Sequence, residues 1–159
     1  MSGFLASLLD DYELEIERHR NRPFLKASMA ACALAAVADG APTLSERIRV
    51  DQILETLEEL KIFDPHEGVD LFNEFSTALL ESPVEGHKKA LDAVRAVSAN
   101  PDAGALLVRM CLAVADAKGQ KCRTDEVEIE AVCNALRLDP GELGVYRNDS
   151  VEARVEESV

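Results

Sequence analysis

Residues 29–54 read MAACALAAVADGAPTLSERIRVDQIL, and residues 103–133 read AGALLVRMCLAVADAKGQKCRTDEVEIEAVC. Each stretch begins as an apolar run of mostly small side chains, ends it on an aspartate, turns, and starts an amphipathic segment. Ala, Leu and Met are strong helix formers, and the clustered β-branched and aromatic residues that strands favour are missing. Both runs are apolar nearly all round, with Arg109 the lone charge within 103–115. A helix apolar on every side belongs in the middle of a domain. The two stretches therefore predict an all-α bundle built on two central helices, over about 27–38 and 103–115.

The stretches also share a register. Ile48, Val50, Ile53, Leu54 and Leu57 are followed 79 positions on by Val127, Ile129, Val132, Cys133 and Leu136, every apolar position kept at near-helical spacing. Ser45, Glu46 and Asp51 meet Thr124, Asp125 and Glu130 at the same offset. Upstream, Ala36-Val37-Ala38-Asp39 meets Ala113-Val114-Ala115-Asp116 at an offset of 77, so the second loop is two residues longer. Downstream, IFDPHE (62–67) parallels RLDPGE (137–142). An internal duplication accounts for all three, and it predicts a pseudo-twofold arrangement with the two acidic bends side by side.

Start signals complete the helix map. A first helix is predicted over about Ser2–Arg20, with Phe4, Leu5, Leu8, Leu9, Tyr12 and Ile16 on its apolar side. Pro23 opens a second, because proline fits the first helical turn. Thr43-x-x-Glu46 has capping-box spacing and starts a third, reaching about Ile62. Asp64-Pro65, Ser82-Pro83 and Asn100-Pro101 each pair an N-cap residue with a first-turn proline, and Asp139-Pro140 predicts a short last helix. The expectation is about seven helices in one domain over 1–145, with a polar, acidic tail over 146–159.

Composition narrows the role. The formal charge is −13 among 159 residues. Such a surface repels nucleic acid and anionic lipid, and attracts divalent cations or basic proteins. No apolar run approaches the roughly 20 residues of a membrane span, and no secretory leader is legible. Cys32, Cys111, Cys122 and Cys133 form no C-x-x-C pair. They read as reduced thiols of a cytoplasmic protein.

Asp39 and Asp116 each close a helix, where a carboxylate faces the negative end of the macrodipole. A compensating partner is required twice. It is either local backbone N–H groups, as in an Asx turn, or a cation. Glu46 follows Asp39 across one turn; Asp125 and Glu126 follow Asp116 across the other. Carboxylate oxygens suit hard ions, calcium or magnesium. An EF-hand is excluded, because the twelfth position counted from either aspartate is a valine, Val50 or Val127.

Ala-Asp-Gly, a short loop, Ser-Glu and an amphipathic helix, given twice in an all-helical chain of this size, resemble the tellurite-resistance TerB family. VADGAPTLSE, VADAKGQKCRTDE and the closing LDPGELG carry the resemblance, which runs from about Pro23 to Leu143. It implies a compact helical bundle with internal twofold pseudosymmetry and an acidic cluster engaging divalent metal, calcium first among the candidates. It also implies a cytoplasmic stress role exercised through protein partners, without catalysis. By this resemblance Asp39, Glu46, Asp116 and Glu126 are site candidates, and the register adds Asp125. The second loop departs from the pattern: Ala117 stands in place of glycine, and Lys118, Lys121 and Arg123 are placed to neutralise it from within. A metal-free acidic adaptor for a basic partner is the alternative.

Enzymatic signatures are missing. No Glu-x-x-His pair, phosphate-binding Gly loop or G-x-S-x-G elbow occurs. The His-Pro-Asp of a co-chaperone J domain is also missing, and the three histidines are scattered and read as surface side chains. Cys122, flanked by Lys121 and Arg123, is the thiol best placed for chemistry on tellurite.

Overall fold

A computed structural model describes residues 2–119 and 122–146. Among them run seven helices and no strand: α1 (Ser2–Ala36), α2 (Leu44–Thr56), α3 (Glu58–Lys61), α4 (Pro65–Glu81), α5 (Pro83–Arg95), α6 (Pro101–Asp116) and α7 (Arg123–Leu136). The tail expected over 146–159 lies outside the described residues, except for Tyr146.

Both Ala-rich runs are central. Residues 27–36 of α1 are all buried, and α4, α5, α6 and α7 all pack against this helix. From α6, Leu107, Val108, Cys111 and Val114 enter the same core. Small side chains bring the two axes close enough for the Cys111 thiol to donate to the Ala31 carbonyl at 3.3 Å. Burial pushes the Cys32 thiol up to about 12. Cys133, buried near Glu130 and Asp139, is pushed up to about 11. These thiols behave as small hydrophobes.

The proline starts hold. Asp64 Oδ1 accepts from the His66 N–H at 2.9 Å, and Asn100 Oδ1 accepts from the N–H groups of Asp102 and Ala103. Ser82 makes no side-chain cap. At that corner the backbones of α4 and α5 meet so closely that a Cβ on Gly86 would lie 2.6 Å from the Ala78 carbonyl oxygen.

Three boundaries differ from the expectation. The chain does not break at Pro23: α1 runs through it as one helix. An interior proline removes a hydrogen bond and costs about 3 kcal/mol. Burial of Leu25 and residues 27–36 beyond it, and tertiary contacts just before it, offset this. Arg18 Nε donates to the Ile62 carbonyl at 2.6 Å, and Arg22 pairs with Glu67 at 2.9 Å while stacking over the Phe63 ring. The predicted third helix is split, because Leu57 is extended (φ −75°, ψ 125°), a bend that accompanies burial of Leu60 and Phe63. Asp139-Pro140 starts only a turn, since Gly144 adopts φ +74° and the chain anchors on fully buried Val145.

The apolar side expected for the first helix does not enter the core. Phe4, Leu5, Leu8, Leu9, Tyr12 and Ile16 are all 41–73% exposed.

Candidate functional site

The two acidic bends follow α1 and α6. Gly40 (φ +132°) turns the first and Gly119 (φ +95°) the second, left-handed conformations that suit glycine. Each bend leads into a helix start of one design. At α2, the Thr43 hydroxyl accepts the Glu46 N–H at 3.2 Å while Glu46 Oε1 accepts the Thr43 N–H at 2.9 Å. At α7, Asp125 Oδ2 accepts the Cys122 N–H at 2.8 Å, and the Cys122 side chain takes the hydroxyl's place as cap. Both are reciprocal capping boxes.

The bends are neighbours, joined by a residue whose reach the sequence did not disclose. Lys118 Nζ donates to Asp39 Oδ2 at 2.8 Å and to Asp125 Oδ1 at 2.7 Å. A second tie runs from Arg49 Nη1 of α2 to the Ala113 carbonyl in the last turn of α6, at 3.1 Å. The clamp is graded in depth: the side chains of Asp125, Lys118 and Asp39 are 0%, 13% and 44% exposed.

Depth sets the electrostatics. Burial pushes the Asp125 carboxyl up, but hydrogen bonds from Lys118 and from the Cys122 N–H and thiol, with the lysine's charge, leave it below its ordinary value. Burial opposes the Lys118 charge, and pairing with Asp125 and Asp39 outweighs it, holding the ammonium above its ordinary value. An uncompensated buried charge would be far costlier, so the lysine is the counter-ion that lets Asp125 sit fully inside.

The remaining candidates divide. Glu46 is fully buried, and its Oε2 makes no hydrogen bond. Glu126 is 4% exposed and meets Arg123 Nη1 at 3.4 Å. Asp116 is exposed, and its carbonyl accepts the Gly119 N–H. Asp39 and Asp125 are thus the two predicted residues that one cation already bridges. Among the described residues, no three His, Cys, Asp or Glu side chains converge closely enough to hold a metal ion. The oxygens are of the hard kind that calcium takes, but it requires six or more of them, and this arrangement offers two carboxylates about an ammonium.

Cys122, the thiol best placed for chemistry by its basic neighbours, has its Sγ 3.0 Å from Asp125 Oδ2 and 3.1 Å from the Thr124 hydroxyl, inside the cap. Its capping position was legible, since Thr43 stands 79 positions earlier. His19 and His66 are exposed, whereas His87 is half-buried and joins α5 to α7 through Glu128 at 3.0 Å.

A sequence profile described as "Tellurite resistance protein TerB" matches residues 25–148. The chain belongs to the TerB family. A tellurium resistance protein TerB from Alcaligenes sp is 27% identical over 110 residues, which cover 69% of this chain and 90% of that one. No solved structure matches. The TerB match takes in both bends, the clamp and the central helices, and it begins beyond the exposed first half of α1. No helix among the described residues is long and apolar enough to cross a membrane.

Proposed function

We propose that this TerB-family chain is a non-enzymatic tellurite-resistance and stress-response protein of the cytoplasm. Its paired acidic bends take a divalent cation, calcium first, in competition with Lys118, and it acts through protein partners. The carrying observation is the Lys118 ammonium held between Asp39 and Asp125. It marks the place where two loops from distant parts of the chain share one positive charge. The orphaned, buried Glu46 Oε2 on the adjoining helix start adds a further anionic oxygen without a donor. Asp39 and Asp125, the two carboxylates that Lys118 bridges, would hold the ion in its place, with Glu46, Asp116 and Glu126 as outer acids, and an ion there would supply charge neutralisation between the bends.

A second reading is favoured by the same lysine. With Lys118 satisfying both carboxylates the clamp needs no ion, and the acidic chain acts as a metal-free adaptor for a basic partner. Calorimetric titration of wild-type and Lys118→Met protein with Ca²⁺ and Mg²⁺ separates the two. Competition predicts measurable Ca²⁺ binding that tightens about tenfold or more in Lys118→Met, where the resident cation is gone. No heat from either protein at millimolar ion leaves the adaptor.

A further inference from the structure

The four cysteines are not equivalent. Cys32, Cys111 and Cys133 are buried, and burial pushes each of their thiols up. Cys122 is half-buried at the N-cap of α7, and polar groups of three residues surround its sulfur. The thiol donates to Asp125 Oδ2 at 3.0 Å. The Thr124 hydroxyl, 3.1 Å away, donates to the sulfur in return, since the thiol proton is committed to the carboxylate. Lys118 Nζ donates to the sulfur from 3.9 Å, its other two N–H groups going to Asp39 and Asp125.

A proton acceptor on a nucleophile, itself held in place by a third group, is the arrangement that activates the nucleophile. Here Asp125 is the acceptor, and Lys118, 2.7 Å from its other oxygen, is the holder. The lysine has a second effect. A lone carboxylate beside the sulfur would oppose negative charge there, and the ammonium cancels it. The positive end of the α7 dipole then favours the charge that moves through the sulfur during attack.

We propose that Cys122 is a peroxide-reactive modification site, at which Asp125, Thr124 and Lys118 together promote oxidation of the thiol to a sulfenic acid. Sγ attacks one oxygen of hydrogen peroxide; the S–O bond forms as the O–O bond breaks. The departing hydroxide takes up the thiol proton, relayed by Asp125 Oδ2, and leaves as water. The sulfur gives up two electrons and the peroxide accepts them. Lys118 stabilises the hydroxide as it departs, and the new sulfenic oxygen then accepts the lysine N–H that had pointed at the sulfur. The other three thiols are buried, so none closes a disulfide with Cys122. An external small thiol instead attacks the sulfenic sulfur, giving a mixed disulfide and water, and a second such thiol restores Cys122. Unlike ion binding, this chemistry uses the clamp with Lys118 in place.

Hydrogen peroxide rates at each cysteine of the full chain, native and unfolded in urea, test this by dimedone trapping and peptide mass spectrometry. A chelator in both samples keeps the result independent of any ion. Cys122 should react about tenfold or more faster in the native chain than in the unfolded one. Cys32, Cys111 and Cys133 should react only after unfolding. Iodoacetamide, whose iodide leaves without a proton, should show no such native gain at Cys122. Lys118→Met should lose the peroxide gain at a temperature where its circular dichroism is still native. A Cys122 that reacts more slowly native than unfolded, a gain shared with iodoacetamide, or a gain that survives in folded Lys118→Met would overturn the assignment.

Discussion

The starts of α2 and α7 use one device and leave their carboxylates in opposite conditions. Both bury an acid at the third helical position, and both acids accept the N–H of the cap residue. Glu46 stops there, with its second oxygen buried and bare. Asp125 has every oxygen engaged, one by Lys118 and the other by Cys122. Loop length makes the difference. The second bend is two residues longer and spends part of the extra chain on a lysine that reaches back to its own helix and across to Asp39. A local cap thereby becomes a tertiary fastener. The two ends of one design therefore differ in what they would lose on mutation.

The largest separation is expected at the lysine. Lys118→Met leaves Asp125 buried without its counter-ion and should lower the free energy of unfolding by about 3 kcal/mol in urea. Asp125→Ala removes the buried charge together with the cap, and the freed Lys118 keeps Asp39, so about 2 kcal/mol is expected. The reverse order would mean that the cap, not the ion pair, dominates this end.

Acidity erases the same difference. Asp125 is held below its ordinary value, so its contribution is complete above about pH 4 and is lost as pH falls through the native value. Lys118 is held above its ordinary value, so its contribution is complete below about pH 10 and is lost at higher pH. Between about pH 5 and pH 9 the stability gap between wild type and Lys118→Met should stay flat, closing progressively below about pH 4. Urea melts at one-unit steps will show it.

Amide substitutions sharpen the contrast at smaller scale. Asp125→Asn should cost about 2 kcal/mol through the lost pair, whereas Glu46→Gln should stay within about 1 kcal/mol, since its amide oxygen can still accept the Thr43 N–H. Equal costs would show that Glu46 Oε2 has a charged partner in solution. The caps come last. Thr43→Ala should cost about 1 kcal/mol, and Cys122→Ser should move thermal stability by no more than about 0.5 kcal/mol, because a hydroxyl serves there as well as a thiol.

Much of the fold was legible for local reasons. Thr43 and Glu46 lie one helical turn apart, and the first-turn prolines at 65, 83 and 101 act within their own segments, so spacing alone reported them. The Ala-rich runs announced central helices because, Arg109 aside, almost nothing on them is polar enough to face water. The site was legible in part. Asp39 and Asp125 stood out as helix-end and helix-start acids, and Lys118 as a base in the loop between them. That one ammonium joins all three was not readable, since Asp39 and Lys118 are 79 positions apart.

Pro23 and the outer half of α1 mark the other boundary. A proline and an apolar stripe obey local rules that predict a helix start and a buried face. Here Arg18 and Arg22, anchored on residues more than forty positions away, carry the helix through the proline and leave the stripe outside. The sequence by itself determined the helical class, the caps and the acidic bends, because hydrogen bonds and side-chain spacing within a turn or two specify them. Only the tertiary structure decided where α1 continues and which charge neutralises which. Those outcomes depend on groups that become neighbours after the chain has folded, when burial makes pairing compulsory.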